Sequence, residues 1–151
     1  MLPPISKRST GEGPVRCVLF DGDVILDVLL DRQPYYGPSA AALETAAKGQ
    51  VVGHVAAHVV TTLAYFLRQR VGSRQLRTAL ARLLACLHVA PVTEREIRSA
   101  LASPIRDFED AVGHEAALAV QANVIVTRNV SDYKGSTIPA VLPEVYLAGL
   151  A

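Results

Sequence analysis

Four short runs rich in β-formers recur along the chain, at Val15–Phe20, Val51–Val55, Val89–Val92 and Asn123–Thr127, with helical segments between them. Runs this short and this apolar predict strands covered on both faces, since a half-exposed strand would alternate apolar with polar residues. Asp23–Leu30 has apolar residues at helical spacing, with Asp27 and Asp31 on another face, and Pro34 is its predicted stop. Pro38 and Ser39 open an Ala-rich helix that ends near Gly49, and His58–Arg70 forms a helix closed by Gly72. Ser73 is the expected cap of the next, whose Leu76, Leu80, Leu83 and Leu84 share one side. Thr93 with Glu96 is a capping box, Asp107 starts a helix to about Ala122, and a short helix begins at Pro143. Alternating strands and helices predict an α/β fold of three layers, α/β/α, around a short central parallel sheet of four or five strands.

The 151 residues fit one domain, 15–151, behind a tail at 1–14 that holds three prolines and two glycines. Half the residues are apolar and 19% are charged, the reverse of a disordered chain. No 18-residue stretch lacks a polar interruption, and no apolar segment follows Lys7 and Arg8, so neither a membrane span nor a secretory signal is expected. Cys17 and Cys86 are too few for a disulfide framework and read as reduced, buried thiols, so a cytoplasmic location is expected. A net charge of +1 excludes a strongly basic DNA-coating protein. The charges are nonetheless segregated. No acid lies between Glu44 and Glu94, where Lys48, Arg68, Arg70, Arg74, Arg77 and Arg82 fall. Arg70, Arg74 and Arg77, with Arg68, are the expected polyanion contacts.

Ligand sites in open parallel sheets lie beyond the carboxyl ends of the strands. Asp21 closes the first run, Asp23 follows it, and Thr127, Arg128, Asn129 and Asp132 follow the fourth. Asp107 and Asp110 stand three apart at the start of their helix. Carboxylates gathered at one end of a sheet repel unless a cation neutralises them, and all-oxygen ligands suit Mg²⁺ or Mn²⁺. Such an ion activates water and neutralises charge on a phosphodiester. A helix cap would account for Asp107 and for Asp23, but not for Asp21 at the end of an apolar strand. His54 and His58 are four apart across a predicted strand-to-helix junction, which breaks zinc geometry.

The runs VLFDGDVILDVLLDRQPYY, SPIRDFEDAVGHEAAL and ANVIVTRNVSDYKGSTIPAVLPEVYLA resemble the PIN-domain family, in its VapC-like branch of bacterial toxin–antitoxin toxins. The similarity spans about Val15 to Ala148. It implies an α/β domain, dimeric, with metal-dependent ribonuclease activity and a small antitoxin partner that blocks the site. By the same resemblance Asp21 matches the first catalytic aspartate and Asp110 the acid of the late helix, with Asp107 beside it. Asn129 and Asp132 match the positions after the fourth strand, and Thr127 a hydroxyl that orients water or phosphate. The implied metal set is Asp21, Asp23, Asp107 and Asp110, with Arg128 close enough to meet a phosphate. Three positions depart from the pattern: Asp23 stands where the family usually has Asn, Thr62 where it usually has an acid or Asn, and Asn129 where many members have an acid.

Two alternatives remain at the level of sequence. A PIN fold with a degenerate site would bind RNA or protein without cutting. The segment FDGDVIL also resembles the DxD opening of haloacid-dehalogenase-like phosphatases, with Asp21 as nucleophile and Asp23 as acid/base.

Overall fold

The computed structural model describes residues 16–150; the expected tail and Val15 lie outside the described residues. Five parallel strands form one sheet: β1 (Cys17–Phe20), β2 (Val52–Ala56), β3 (His88–Ala90), β4 (Val124–Val126) and β5 (Ala140–Val141). Their order is β3-β2-β1-β4-β5, so the chain leaves central β1 to build one side and later returns to build the other. Leu19 of β1 lies level with His54 of β2 and Ile125 of β4. Val18 and Phe20 are wholly buried and Leu19 is nearly so, as a strand covered on both faces requires.

The helices are α1 (Gly22–Leu29), α2 (Tyr36–Ala47), α3 (Ala57–Leu67), α4 (Ser73–Cys86), α5 (Glu94–Leu101), α6 (Phe108–Ala119) and α7 (Pro143–Leu150). Helices α1, α2 and α7 pack in sequence, while α5 pairs with α6, which lies on β2 and β3. This is the three-layer arrangement expected. The approach of α2 to the sheet is close at Gly53, where a Cβ would stand 2.7 Å from both Ala46 Cβ and Leu87 Cδ2. On the same side the Phe20 ring meets Tyr146 edge-on at 6.1 Å, and the Tyr146 hydroxyl lies 2.7 Å from Thr45 Oγ1, which fastens α7 to α2.

Several expected boundaries move, each for a local reason. Pro34 is not what ends α1. Asp31 takes a left-handed φ of 50°, and the Asp31 and Arg32 N–H groups bond back to Val28 and Asp27 in a Schellman turn. Gln121, at φ 57°, ends α6 in the same way before the expected Ala122. Ser73 is the first residue of α4 rather than its cap; Gly72 holds that position without a side-chain bond. The capping box at Thr93 and Glu96 forms as expected. The short β5, two residues long, carries too little pattern to be read from sequence. Asp27, although off the apolar face of α1, is wholly buried. Cys17 and Cys86 are free thiols, half-buried rather than buried. Among the described residues no helix is long and apolar enough to cross a membrane.

Candidate active site

The switch in strand order falls between β1 and β4, and their carboxyl ends open a crevice there. Asp21 leaves β1 and caps α1, its Oδ1 accepting the Gly22 N–H at 2.8 Å. A cap therefore accounts for half of the Asp21 carboxylate, contrary to the expectation from sequence. Its other oxygen faces β4: Thr127 Oγ1 donates to Asp21 Oδ2 at 2.9 Å and lies 3.3 Å from Asp23 Oδ2. Asp23 Oδ2 also accepts the Arg128 N–H at 3.1 Å and the Asn129 Nδ2 at 2.7 Å. The two departures at Asp23 and Asn129 thus meet in one hydrogen bond. Asp23 Oδ1 is buried and has no partner among the described residues.

Asp110 closes the site from the first turn of α6. Neither of its carboxylate oxygens makes a hydrogen bond to a described residue, while its backbone N–H is held by the Asp107 side chain at 3.0 Å. Asp21, Asp23, Asp110 and Asn129 line one cleft of about 250 Å³, with Thr62 and Phe66 of α3 on its far wall. Thr62 accordingly occupies the site at the position where an acid was expected.

The electrostatics follow from this crowding. Burial pushes the Asp21 carboxyl up, against the hydrogen bonds from Thr127, the Gly22 N–H and Tyr133. Burial and the charge of Asp21 push Asp23 up to about 6. Burial and the charges of Asp21, Asp107, Asp132 and Glu109 push Asp110 up to about 7. Burial leads in each case, and neighbouring carboxylates add to it. Hard oxygen donors, two carboxylates pushed toward neutrality and an orphaned buried Oδ1 fit a small divalent cation. No set of three His, Cys, Asp or Glu side chains among the described residues is arranged to hold an ion. Mg²⁺ needs no such set, since one or two carboxylates and waters commonly hold it.

Other expected residues lie elsewhere. Asp107 is the N-cap of α6, and with Asp132 it lines a neighbouring cleft on the Lys134 side. Arg128 faces a third cleft, its Nε held at 2.7 Å by buried Asp27. Arg70, Arg74 and Arg77 are exposed where α3 passes to α4, and line none of these three clefts. His54 contacts Cys17 Sγ at 3.4 Å and His58 reaches the Glu109 carbonyl at 3.2 Å, so the two do not converge.

Four residues at the site were not singled out from sequence. Asp27 was discoverable, because it stands one helical turn after Asp23 and so shares its face. Glu109 adjoins Asp110 in the cleft. Arg32 lines the cleft from an irregular turn, and Tyr133 is buried behind it. Neither of these last two carries a sequence signal.

The sequence profile of the PIN domain matches residues 17–131, most of the chain, and the match includes Asp21, Asp110 and Asn129. The chain belongs to the PIN-domain family. No curated protein matches it significantly. Solved structures similar to this PIN domain include VapBC2 from Rickettsia felis, bound to a DNA fragment from its promoter. There the identity is 13% and the TM-score 0.59, over 83% of this chain and 96% of that one. FitAcB from Neisseria gonorrhoeae is 12% identical at a TM-score of 0.61, over 84% and 98%. The Mycobacterium tuberculosis toxin VapC20, described as cleaving the sarcin–ricin loop, is 19% identical at a TM-score of 0.57, over 72% and 86%. At these identities the likeness is one of fold. Family membership leaves the phosphatase reading of FDGDVIL without support.

Proposed function

We propose that this PIN domain is a metal-dependent endoribonuclease and the toxin of a toxin–antitoxin pair, acting in the cytoplasm. The observation that carries the reading is the convergence of Asp21, Asp23 and Asp110 on one cleft, with both Asp23 and Asp110 pushed far above the ordinary carboxylate range. Mg²⁺ or Mn²⁺ bound there would supply an activated water and neutralise the phosphodiester. Asp21 and Asp23 would hold the ion with waters, and Asp107 would add negative potential from the adjoining turn. Thr127 fixes Asp21, and Asn129 fixes Asp23 through the shorter of its bonds. Asp110, whose carboxylate makes no hydrogen bond to a described residue, would take a proton from attacking water. Asp132 borders the next cleft, where it would steer the RNA strand. Exposed Arg70, Arg74 and Arg77 offer a surface to RNA or to an acidic antitoxin segment. The toxin complexes among the similar folds support a partner protein, and the family resemblance supports a homodimer.

The test is RNA cleavage by the purified protein with Mn²⁺, Mg²⁺ or EDTA, beside Asp21→Asn/Asp110→Asn. Cleavage that needs metal and vanishes in the double variant is expected. Thr62 at the cleft wall favours one other reading, a PIN module that binds RNA without cutting it. No cleavage in any metal, with RNA still bound, would favour that reading instead.

A further inference from the structure

The carboxylate cleft of about 250 Å³ is lined by Asp21, Asp23, Glu109 and Asp110, and by one cation among the described residues, Arg32. Arg32 is half-buried. It forms no ion pair with a described residue, although four carboxylates share its cleft. The acid beside it in sequence, Asp31, accepts Gln33 Nε2 at 3.1 Å instead. The backbone of Arg32 is held on both sides. Its N–H donates to the Asp27 carbonyl at 2.9 Å in the turn that ends α1, and its carbonyl accepts the Tyr36 N–H at 2.8 Å where α2 begins. Leu26 and Phe66 line the same cleft and offer the guanidinium no acceptor from their side chains.

A guanidinium that leaves the carboxylates of its own cleft unpaired is available to an anion from outside. Its planar fork matches two oxygens of a phosphate, and it stays charged at every working pH. The carboxylates repel a phosphodiester, so the cleft needs positive charge to admit one. A metal ion supplies part of that charge, and Arg32 is the protein's own contribution. We propose that Arg32 binds the non-bridging oxygens of the RNA phosphodiester that is cut. The inference rests on the ribonuclease reading and adds to it the residue that receives the substrate's charge. In the hydrolysis, the water oxygen bonds to phosphorus and passes one proton to Asp110. One P–O ester bond breaks, and its oxygen leaves with the electron pair and takes a proton from solvent. Arg32 stabilises the charge that builds on the non-bridging oxygens between these events.

Two measurements on the full chain test it. The first is steady-state cleavage of a labelled single-stranded RNA in Mn²⁺ by wild type, Arg32→Ala and Arg32→Lys. Arg32→Ala is expected to lower kcat by about 100-fold. Arg32→Lys should recover part of the loss, since it restores the charge without the fork. The second is fluorescence anisotropy of the same RNA with Asp110→Asn, with and without Arg32→Ala, at fixed Mg²⁺ and from about 50 to 200 mM NaCl. Removing Arg32 should weaken binding by about tenfold and lower the slope of log affinity against log salt by about 0.7, the share of one phosphate contact on a single strand. A residue that only balanced charge within the folded protein would leave that slope unchanged. An unchanged slope, no RNA binding at all, or an unchanged kcat for Arg32→Ala beside an active wild type overturns the inference. The nuclease reading is scored on wild-type cleavage alone. If wild type cuts and Arg32→Ala cuts equally well, the inference falls and that reading stands. If wild type cuts in no metal but the slope falls as expected, the nuclease reading falls and the phosphate contact at Arg32 stands.

Discussion

Thr127 donates its hydroxyl hydrogen to Asp21 across 2.9 Å, joining the ends of β1 and β4 from positions 106 residues apart. The hydroxyl is wholly buried and also receives the Asn129 N–H at 3.0 Å. One side chain thus sets the Asp21 carboxylate and the first turn of the loop that carries Asn129. Thr127→Val keeps the shape and removes the donor, which leaves a buried carboxylate oxygen unsatisfied. It is expected to cost about 1–3 kcal/mol, read as a lower urea midpoint at unchanged slope. Thr127→Ser should recover most of the loss. Equal midpoints for wild type and valine would show that the bond has no net value.

Asp110 works against folding at neutral pH. Its folded value, about 7, lies above the ordinary carboxylate range, so between about 4 and 7 the folded state holds a proton that the unfolded state has lost. Stability from this group is therefore highest at low pH and falls as pH rises toward 7. In EDTA at pH 8, Asp110→Asn should melt higher than wild type by roughly 2–4 °C, for about 1 kcal/mol of relieved repulsion. The gap should close by about pH 4. A gap independent of pH would mean that charge is not its cause.

The same crowding predicts a response to cations. An ion that binds only the folded state at a hundred times its dissociation constant adds about 2.7 kcal/mol. Thermal melts with added Mn²⁺ or Mg²⁺ should shift upward for wild type and stay still for Asp21→Asn/Asp110→Asn. A shift of equal size in the double variant would place the ion elsewhere.

The Arg128–Asp27 pair is buried on the acid's side, where Asp27 has no exposed surface. Arg128→Met strands that charge and should cost about 3–5 kcal/mol in urea denaturation. Asp27→Leu/Arg128→Met removes both charges and should recover most of it. A double variant as unstable as the single one would place the cost in lost packing against Tyr35 instead.

The layered α/β architecture was legible in the sequence because it depends on periodicity alone. Val18–Phe20 and Val124–Val126 are apolar without interruption, and that fixes buried parallel strands flanked by helices. Asp21 and Thr127 were likewise legible as residues of the candidate site, since each directly follows such a strand and parallel sheets open their crevice there. The tertiary structure alone decided what each carboxylate does. Asp107 caps α6, Asp27 is drawn inside by Arg128, and Arg128 itself faces the third cleft rather than the first. These are choices among partners more than a hundred residues apart or across a helix turn, and chain spacing does not carry them. Helix ends followed the same division. The stop of α1 lies in a left-handed Asp31, a backbone state set by hydrogen bonds to Asp27 and Val28, not in the proline that the sequence displays three residues later.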